Sequence, residues 1–255
     1  MNNKNATSDF DGQVTETWLL GGSVTCFQPT KGFRTAIDAV FMAAAVPAES
    51  GSSILDLGTG VGAAAFCLAV RNNSVFVTGL ELQPAMAELA QRGVKANGLN
   101  HRVNILIGDL MEPPEYLKTR RFQHVMANPP YIPVDAGTRS PNPVKAIATM
   151  EGNAKLSDWV NFAVDRLEVG GTVTLVHRWD RMTEVQDQLT AAKCGAIKVL
   201  PLAPKLSGNP IRALIRGYKG RDSRTKIYPS LILHETGGSY TPAAERILRG
   251  GKHLF

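Results

Sequence analysis

The residues best suited to chemistry form a short segment, Asn128-Pro129-Pro130-Tyr131, directly after a predicted strand. Two consecutive prolines fix the backbone and remove two N–H donors, which leaves carbonyl groups facing outward in a rigid arrangement. The Asn128 side-chain oxygen and the Pro129 carbonyl could then accept hydrogen bonds from a planar amine, while Tyr131 stacks on its ring. Taken alone, the segment is also compatible with a rigid turn that only leads the chain away from the strand.

A glycine-rich turn lies earlier in the chain, where a predicted strand ends and a helix begins. It reads Asp56-Leu57-Gly58-Thr59-Gly60-Val61-Gly62, and its glycines permit a tight turn and close contact between a ligand and the backbone. Glu81 ends the next predicted strand. A carboxylate at that position can accept hydrogen bonds from both hydroxyls of an adenosine ribose.

Two kinds of cofactor fit this turn. The spacing Gly58-x-Gly60-x-x-Ala63 also satisfies the dinucleotide fingerprint, so the glycines alone leave NAD open. Asp56 before the turn and Asp109 after the third predicted strand give the crevice an acidic rim, which would repel a pyrophosphate. S-adenosylmethionine carries a sulfonium and an ammonium but no phosphate, so the acidic rim favours this cofactor.

The elements between these motifs alternate between strands and helices. The predicted strands cover 53–57, 75–80, 103–107, 124–127, 172–177, 197–200 and 213–217. The predicted helices cover 36–46, 62–70, 84–96, 156–167 and 181–193. Strands that alternate with helices over this length predict an α/β protein with a parallel, doubly wound sheet.

Composition narrows the class of protein. A chain of 255 residues with 44% hydrophobic and 20% charged residues suits one large α/β domain and is not globally disordered. The longest apolar run, 40–46, is far shorter than the roughly 20 residues of a membrane span, and the polar start lacks a secretory apolar region. Cys26, Cys67 and Cys194 are widely spaced and none pairs with histidine at metal-ligand spacing. We therefore expect a cytoplasmic protein without a membrane span, a disulfide framework or a metal.

The charge is basic overall and concentrated in one segment. The formal net charge is +6, and residues 205–226 hold many basic residues against one acid, Asp222. The basic residues of this segment are Lys205, Arg212, Arg216, Lys219, Arg221, Arg224 and Lys226. A solvated surface would account for any one of them, but the cluster predicts an electrostatic footprint for a polyanion such as nucleic acid.

Together these motifs resemble the class I S-adenosylmethionine-dependent methyltransferases, and among them the amino-group methylases that carry Asn-Pro-Pro-Tyr. The chain is similar to the bacterial tRNA1(Val) adenine-37 N6-methyltransferase family over about residues 15–250. The segments that carry this finer similarity are 27–40, 211–217, 231–235 and 240–242.

The resemblance implies an overall organisation. It implies a Rossmann-like, doubly wound sheet of seven strands, mostly parallel with an antiparallel last strand. Residues 1–16 would form a mobile N-terminal segment and 17–255 a single methyltransferase domain. Within that domain, 17–47 would cap the cofactor site and 205–255 would form a basic C-terminal part.

The resemblance also implies roles for individual residues. Asn128, Pro129 and Tyr131 would hold the target amine. The residues implied to bind S-adenosylmethionine are Asp38, Asp56, Gly58, Thr59, Gly60, Glu81, Leu82, Asp109, Leu110 and Asn128. The residues implied to contact RNA are Arg34, Lys205, Arg212, Arg216, Lys219 and Arg221.

The predicted reaction transfers a methyl group from S-adenosylmethionine to the N6 amine of an adenine in RNA. A paired or stacked base could not reach the pocket, so we expect a loop adenine, as in a tRNA anticodon loop. Protein glutamine N5-methylation stays open because the side-chain amide offers the same planar NH2, and guanine N2-methylation of ribosomal RNA because those enzymes share the motifs. An inactive RNA-binding module and an NAD dehydrogenase are disfavoured by the intact Asn-Pro-Pro-Tyr and by the lack of a hydride-transfer constellation.

Overall fold

Strands and helices alternate through most of the computed structural model, which describes residues 13–30, 37–131, 153–250 and 254. The strands are β1 (Val14–Leu19), β2 (Val24–Pro29), β3 (Ser53–Leu57), β4 (Phe76–Glu81), β5 (Val103–Ile107), β6 (Phe122–Ala127), β7 (Leu167–Arg178), β8 (Cys194–Ala203), β9 (Arg212–Lys219), β10 (Lys226–Ile227) and β11 (Leu231–Ile232). The helices are α1 (Ile37–Ala45), α2 (Ala63–Arg71), α3 (Pro84–Ala96), α4 (Glu115–Thr119), α5 (Leu156–Asp165), α6 (Met182–Ala191) and α7 (Pro242–Gly250). No helix within these described ranges is long and apolar enough to cross a membrane.

The main sheet has the strand order β10-β8-β9-β7-β6-β3-β4-β5, and β11 pairs with β8. Strands β3 to β7 run parallel to one another, whereas β9 lies between β7 and β8 and is antiparallel to both. The prediction of a mostly parallel, seven-stranded sheet with an antiparallel last strand is therefore confirmed for β3 to β9. Two short strands, β10 and β11, extend the sheet beyond β8 and were not predicted.

Helices cover both faces of the sheet because its strands are apolar on both sides. In β3, Ile54 packs into a core with residues of α1, α2 and α3, while Leu55 and Leu57 pack into a second core with residues of α5 and α6. This alternation follows from the two-residue period of a strand. In the strand order, β3 is the middle one of the five parallel strands β7-β6-β3-β4-β5, so the turn that follows β3 lies at the centre of their edge.

An antiparallel hairpin of β1 and β2 precedes this sheet. The hairpin is joined to the end of α3, where Asn97 accepts a hydrogen bond from the Thr25 amide (2.8 Å) and donates one to the Thr25 carbonyl (2.7 Å). Strand β1 begins at Val14 and therefore runs across the predicted boundary between residues 16 and 17. Residues 1–12 lie outside the described residues, and the predicted capping role of 17–47 stays a prediction.

The predicted start of β7 at residue 172 was wrong. The strand begins at Leu167 and passes through Gly170, which adopts a positive φ of 81°. The register against β6 shifts between Phe122 and His124, so the Gly-Gly pair marks an irregularity inside the strand. Glycine tolerates this backbone conformation, which explains why the pair interrupts the pattern without ending the strand. The short helix α4 and the late helix α7 were also not predicted.

Candidate active site

The carboxyl ends of the parallel strands β3 to β7 and the start of β9 meet at one edge of the sheet, which we call the site edge. The sequence motifs follow these strand ends, and ligands of doubly wound sheets bind at this edge. The predicted residues that meet there are Asp56, Gly58, Thr59, Gly60, Glu81, Leu82, Asp109, Leu110, Asn128, Pro129, Tyr131 and Arg212. The site edge therefore brings together two motifs that are distant in the sequence.

The glycine turn after β3 folds back over the end of β4. The amides of Gly58 and Thr59 both donate hydrogen bonds to the Leu80 carbonyl, at 2.8 and 3.0 Å. Gly58 has a φ of 66°, and a Cβ atom there would lie 2.7 Å from the Trp159 ring. Glycine is thus required at this position both by the backbone conformation and by the close approach of the indole. The result is an exposed backbone surface at Gly58.

Glu81 connects this turn to the end of β4. Its carboxylate is 5% exposed and accepts hydrogen bonds from the Gly60 amide (2.8 Å) and the Gln83 amide (2.9 Å). Burial raises the pKa of Glu81, and the backbone N–H groups that it accepts from act in the opposite direction. Each carboxylate oxygen has a second acceptor site, so Glu81 can hold the turn and still accept hydrogen bonds from a diol.

Asp56 lies beneath the turn and is almost fully buried. It accepts a hydrogen bond from the Thr59 hydroxyl (2.6 Å), and burial raises its pKa to about 7, with a further contribution from the charge of Glu81. The Thr59 hydroxyl and the Ala65 amide oppose this rise. Through the Thr59 hydroxyl, Asp56 orients the turn, while the contact with the cofactor that the resemblance implied for it stays a prediction.

Exposed apolar side chains lie beside Glu81. Leu82 is 51% exposed and follows Glu81 directly, while Ile107 is 47% exposed and pairs with Glu81 in the sheet register. Asp109 follows β5 and accepts a hydrogen bond from the Met111 amide (2.9 Å), and Leu110 is half-buried. An apolar surface next to a buried carboxylate suits a flat ring attached to a diol, as in adenosine.

The Asn128-Pro129-Pro130-Tyr131 segment follows β6, the neighbour of β3 in the sheet. Asn128 is half-buried and Pro129 is buried. The Tyr131 and His177 rings form a T-shaped pair with a centroid distance of 6.2 Å, and the Tyr131 carbonyl accepts a hydrogen bond from Arg181 (3.2 Å). These contacts hold the tyrosine between the end of β7 and the start of α6.

Asp38 and Arg212 bind each other at this end of the sheet. The Arg212 Nε lies 3.3 Å from the Asp38 carboxylate, and both side chains are mostly buried. Burial raises the pKa of Asp38, and Arg212 acts in the opposite direction. Sequence reasoning implied separate roles for these residues, one toward the cofactor and one toward RNA, and did not place them together.

His177 is a residue of this region that sequence reasoning did not single out. It is 1% exposed, and burial together with the nearby Arg181 lowers its pKa to about 4, so it is neutral at pH 7. No side-chain hydrogen bond to its ring is formed by the described residues. Nothing in the sequence distinguishes it from any other histidine at the end of an apolar strand.

The basic segment 205–226 is not one continuous surface. Arg216 is 3% exposed and donates to the Ala45 carbonyl (2.9 Å), so its predicted contact with RNA is wrong. The Lys219 ammonium donates to the carbonyls of Val164 (2.8 Å) and Leu167 (2.9 Å). It therefore binds other parts of the protein and is not directed toward a phosphate. A charge count cannot distinguish such buried cations from surface cations.

Strand β9 also separates the two ends of the basic segment. Arg212 begins the strand at the site edge and Lys219 ends it at the opposite edge, about 23 Å away at about 3.3 Å per residue. Exposed Lys205 lies in the β8–β9 connection at the site edge, whereas exposed Arg221 follows β9 at the opposite edge. Arg34, the remaining residue implied to contact RNA, lies outside the described residues.

The described residues contain no cluster of three or more His, Cys, Asp or Glu side chains that could hold a metal ion. The groups that the site edge presents are hydrogen-bond acceptors, exposed backbone and stacking surfaces. On the acidic side these groups suit a cationic adenosine derivative, and at Asn128 they suit a planar amine.

Two curated proteins with similar sequences have the same name. The chain is 25% identical over 228 residues to a tRNA1(Val) (adenine(37)-N6)-methyltransferase of Porphyromonas gingivalis, which covers 84% of this chain and 86% of that protein. It is 26% identical over 211 residues to the protein of the same name from Actinobacillus succinogenes, covering 82% and 85% of the two chains.

Two solved structures with a similar fold are methyltransferases. A predicted O-methyltransferase from Agrobacterium tumefaciens is 26% identical, covers 86% of this chain and 98% of its own, and superposes with a TM-score of 0.70. A 16S ribosomal RNA N2 G1207 methyltransferase of T. thermophilus is 20% identical, covers 81% and 50%, and has a TM-score of 0.55. The similarity to the ribosomal RNA methyltransferase concerns the fold alone.

A family model, the methyltransferase small domain, matches residues 36–192, which is more than half of the chain. This range includes the glycine turn, Glu81, Asp109 and the Asn128-Pro129-Pro130-Tyr131 segment. The match agrees with the sheet order and with the groups that the site edge presents. The chain belongs to the methyltransferase small domain family.

Proposed function

We propose that this methyltransferase transfers a methyl group to the N6 amine of an adenine in RNA, and that the adenine lies in a tRNA anticodon loop. The observation that carries the proposal is that Asn128-Pro129-Pro130-Tyr131 follows β6, directly beside the glycine turn that follows β3. The two sites are thus neighbours on one sheet edge. A methyl donor bound at the turn would lie next to an amine held by Asn128.

The methyl donor is S-adenosylmethionine, and the residues at the turn fit it. The buried Glu81 carboxylate can accept the ribose hydroxyls, and the exposed Leu82 and Ile107 offer an apolar surface for the adenine. The exposed Gly58 backbone leaves room for the amino-acid part of the molecule. When bound, the cofactor supplies a methyl group that its sulfonium makes electrophilic.

The protein's contribution to the reaction is mainly to hold and orient the target. The N6 lone pair of adenine is delocalised into the ring, which makes the amine a poor nucleophile. Hydrogen bonds accepted by the Asn128 side chain and the Pro129 carbonyl favour a more tetrahedral nitrogen, whose lone pair then faces the methyl group. In-line displacement depends on such positioning, and no dedicated base is needed because the proton can leave to water.

Tyr131 completes the proposed target site by stacking on the adenine ring. Stacking of a base on an aromatic side chain contributes about 1–3 kcal/mol and requires the base to be unstacked from its neighbours. A loop adenine meets this requirement at a smaller cost than a paired one. The names of the relatives, at about 25% identity, support tRNA as the RNA.

The charges near the target site also support a polyanionic substrate. Lys205 is exposed in the β8–β9 connection, and Arg178 at the end of β7 is partly exposed. Such cations fix a nucleic acid through its phosphates without reading its sequence. The proposed location is the cytoplasm, because tRNA is the proposed substrate.

The test is methylation of total tRNA with labelled S-adenosylmethionine, followed by mass analysis of nucleosides. We expect label in N6-methyladenosine of tRNA and none in the same mixture with the Asn128→Ala variant. Digested protein and ribosomal RNA from parallel mixtures are analysed for N5-methylglutamine and N2-methylguanosine. Label in either product without N6-methyladenosine would replace the proposed target by that alternative.

A further inference from the structure

We propose that Arg212 is a positioning residue that holds the Tyr131 ring for the target base. The inference rests on the proposed function, because it takes Tyr131 as the surface on which the base stacks. It departs from the role in RNA contact that sequence similarity implied for Arg212. The contacts of its guanidinium carry the proposal.

The guanidinium lies over one face of the tyrosine. Its Cζ is 4.6 Å from the centroid of the Tyr131 ring, and its Nη2 donates a hydrogen bond to the Tyr131 hydroxyl (3.2 Å). The first contact is a cation–π interaction that fixes the plane of the ring, and the second fixes its far end. Because one face is covered by Arg212, a base can stack only on the other face.

Each nitrogen of Arg212 has an acceptor within the protein. Nε pairs with Asp38 (3.3 Å), Nη1 donates to the Ile211 carbonyl (3.1 Å), and Nη2 donates to Tyr131. The planar guanidinium matches this arrangement, whereas a lysine ammonium has a single nitrogen and could not reproduce it. Three of the five N–H donors of Arg212 are thus used within the protein, which suits this side chain to holding a neighbour.

The backbone of the tyrosine is held from another direction. Arg181, at the start of α6, donates to the Tyr131 carbonyl (3.2 Å) and is itself fixed by both oxygens of Glu184 at 2.7 Å. Ring and backbone therefore depend on different arginines. Loss of Arg212 frees the ring while the backbone contact remains, so we expect a change in reaction rate more than a loss of the fold.

The main test compares Arg212→Lys, which keeps the charge, with Arg249→Lys. Arg249 is the matched control because it is also an arginine paired with a carboxylate, that of Glu245, but it lies on the surface of α7. We expect Arg212→Lys to lower kcat at saturating tRNA by about 10- to 100-fold, the usual cost of a misplaced reacting group, with little change in KM. Arg249→Lys is expected to leave kcat unchanged.

A second variant separates positioning from phosphate binding. Asp38→Asn removes a negative charge, so it would strengthen RNA binding if Arg212 bound phosphate. If Arg212 positions Tyr131, Asp38→Asn lowers kcat in the same direction as Arg212→Lys, and the double variant is no worse than the more affected single one. An Arg212→Lys enzyme with normal kcat but raised KM and a smaller salt dependence would overturn the inference.

The contact itself is tested without RNA. In a double-mutant cycle of Arg212→Lys and Tyr131→Phe, the changes in Tm are expected to be non-additive because the two residues share one hydrogen bond. Additive changes would show that the contact is absent and overturn the inference. Failure of the wild-type enzyme to methylate tRNA adenine, with the cycle still non-additive, would instead refute the proposed function.

Discussion

The site edge consists of two halves with opposite charge. The half formed by the ends of β3, β4 and β5 carries Asp56, Glu81 and Asp109, whereas the half formed by β6, β7 and β9 carries arginines. The arginines of the second half are Arg178, Arg181 and Arg212. In the proposed function, the acidic half receives the cationic methyl donor, the basic half receives the polyanionic substrate, and the reacting groups meet where the halves join.

The two halves also use their charges differently. Glu81 and Asp56 accept hydrogen bonds from the protein's own amides and a hydroxyl, and each oxygen of the Glu81 carboxylate keeps a second acceptor site. In the other half, carboxylates of Asp180, Glu184 and Asp38 pair with the three arginines. The net charge of the basic half is therefore less positive than a count of its arginines suggests. These arginines hold neighbouring side chains in place and also contribute positive charge.

The largest expected effect comes from the residue at the junction of the halves. We expect Asn128→Ala to lower kcat by about 10²–10³-fold, as for the loss of one pre-organised hydrogen-bonding group at a reacting centre. Its contact is with the amine, so calorimetry should show nearly unchanged affinity for S-adenosylmethionine. A near-normal kcat of the Asn128→Ala variant would mean that Asn128-Pro129-Pro130-Tyr131 is only a turn.

The acidic half is tested by Glu81→Ala. Loss of a charge-assisted hydrogen-bond acceptor should weaken binding of S-adenosylmethionine and S-adenosylhomocysteine by about 1–3 kcal/mol in calorimetry. Glu88→Ala is the matched control, because Glu88 is exposed on the following helix α3. Equal effects of the two substitutions on affinity would show that Glu81 does not bind the cofactor.

The pH dependence of stability tests the buried carboxyl of this half. Because the pKa of Asp56 is raised to about 7, the folded state binds more protons than the unfolded state between about pH 4 and 7. Asp56 therefore lowers stability as pH rises through this window, and the loss is complete above pH 7. The Tm of Asp56→Asn minus that of the wild type should increase from pH 5 to 8, at about 2–4 °C per kcal/mol. A constant difference would contradict the raised pKa.

The smallest expected effect concerns the surface of the basic half. With a short RNA hairpin, Lys205→Ala should reduce the slope of log affinity against log salt by about 1, the loss of one phosphate contact. Arg221→Ala, at the opposite edge of the sheet, should change the slope less. Fluorescence anisotropy at several salt concentrations measures both, and the reverse order would place the RNA on the other edge.

The sequence predicts the acidic half better than the basic half, for a physical reason. The glycine turn and Glu81 are marked by local patterns at the ends of predicted strands, and the structure places them together. The Arg212 contacts join residues far apart in sequence, 81 positions to Tyr131 and 174 to Asp38, and no local pattern encodes them. The predicted RNA contact of Arg216 was wrong, although this residue lies in the apolar run Ala213–Gly217. That run was the signal in the sequence that could have indicated a buried arginine.

The position of β9 has a consequence for synthesis of the chain on the ribosome. Strand β8 leaves the ribosome before β9, yet it reaches the sheet only through β9, which lies between it and β7. Until Arg212–Lys219 has emerged, β7 therefore keeps an open edge and β8 has no partner in the sheet. Open edges invite pairing with other chains, so we expect a nascent chain that stalls before β9 to be prone to aggregation.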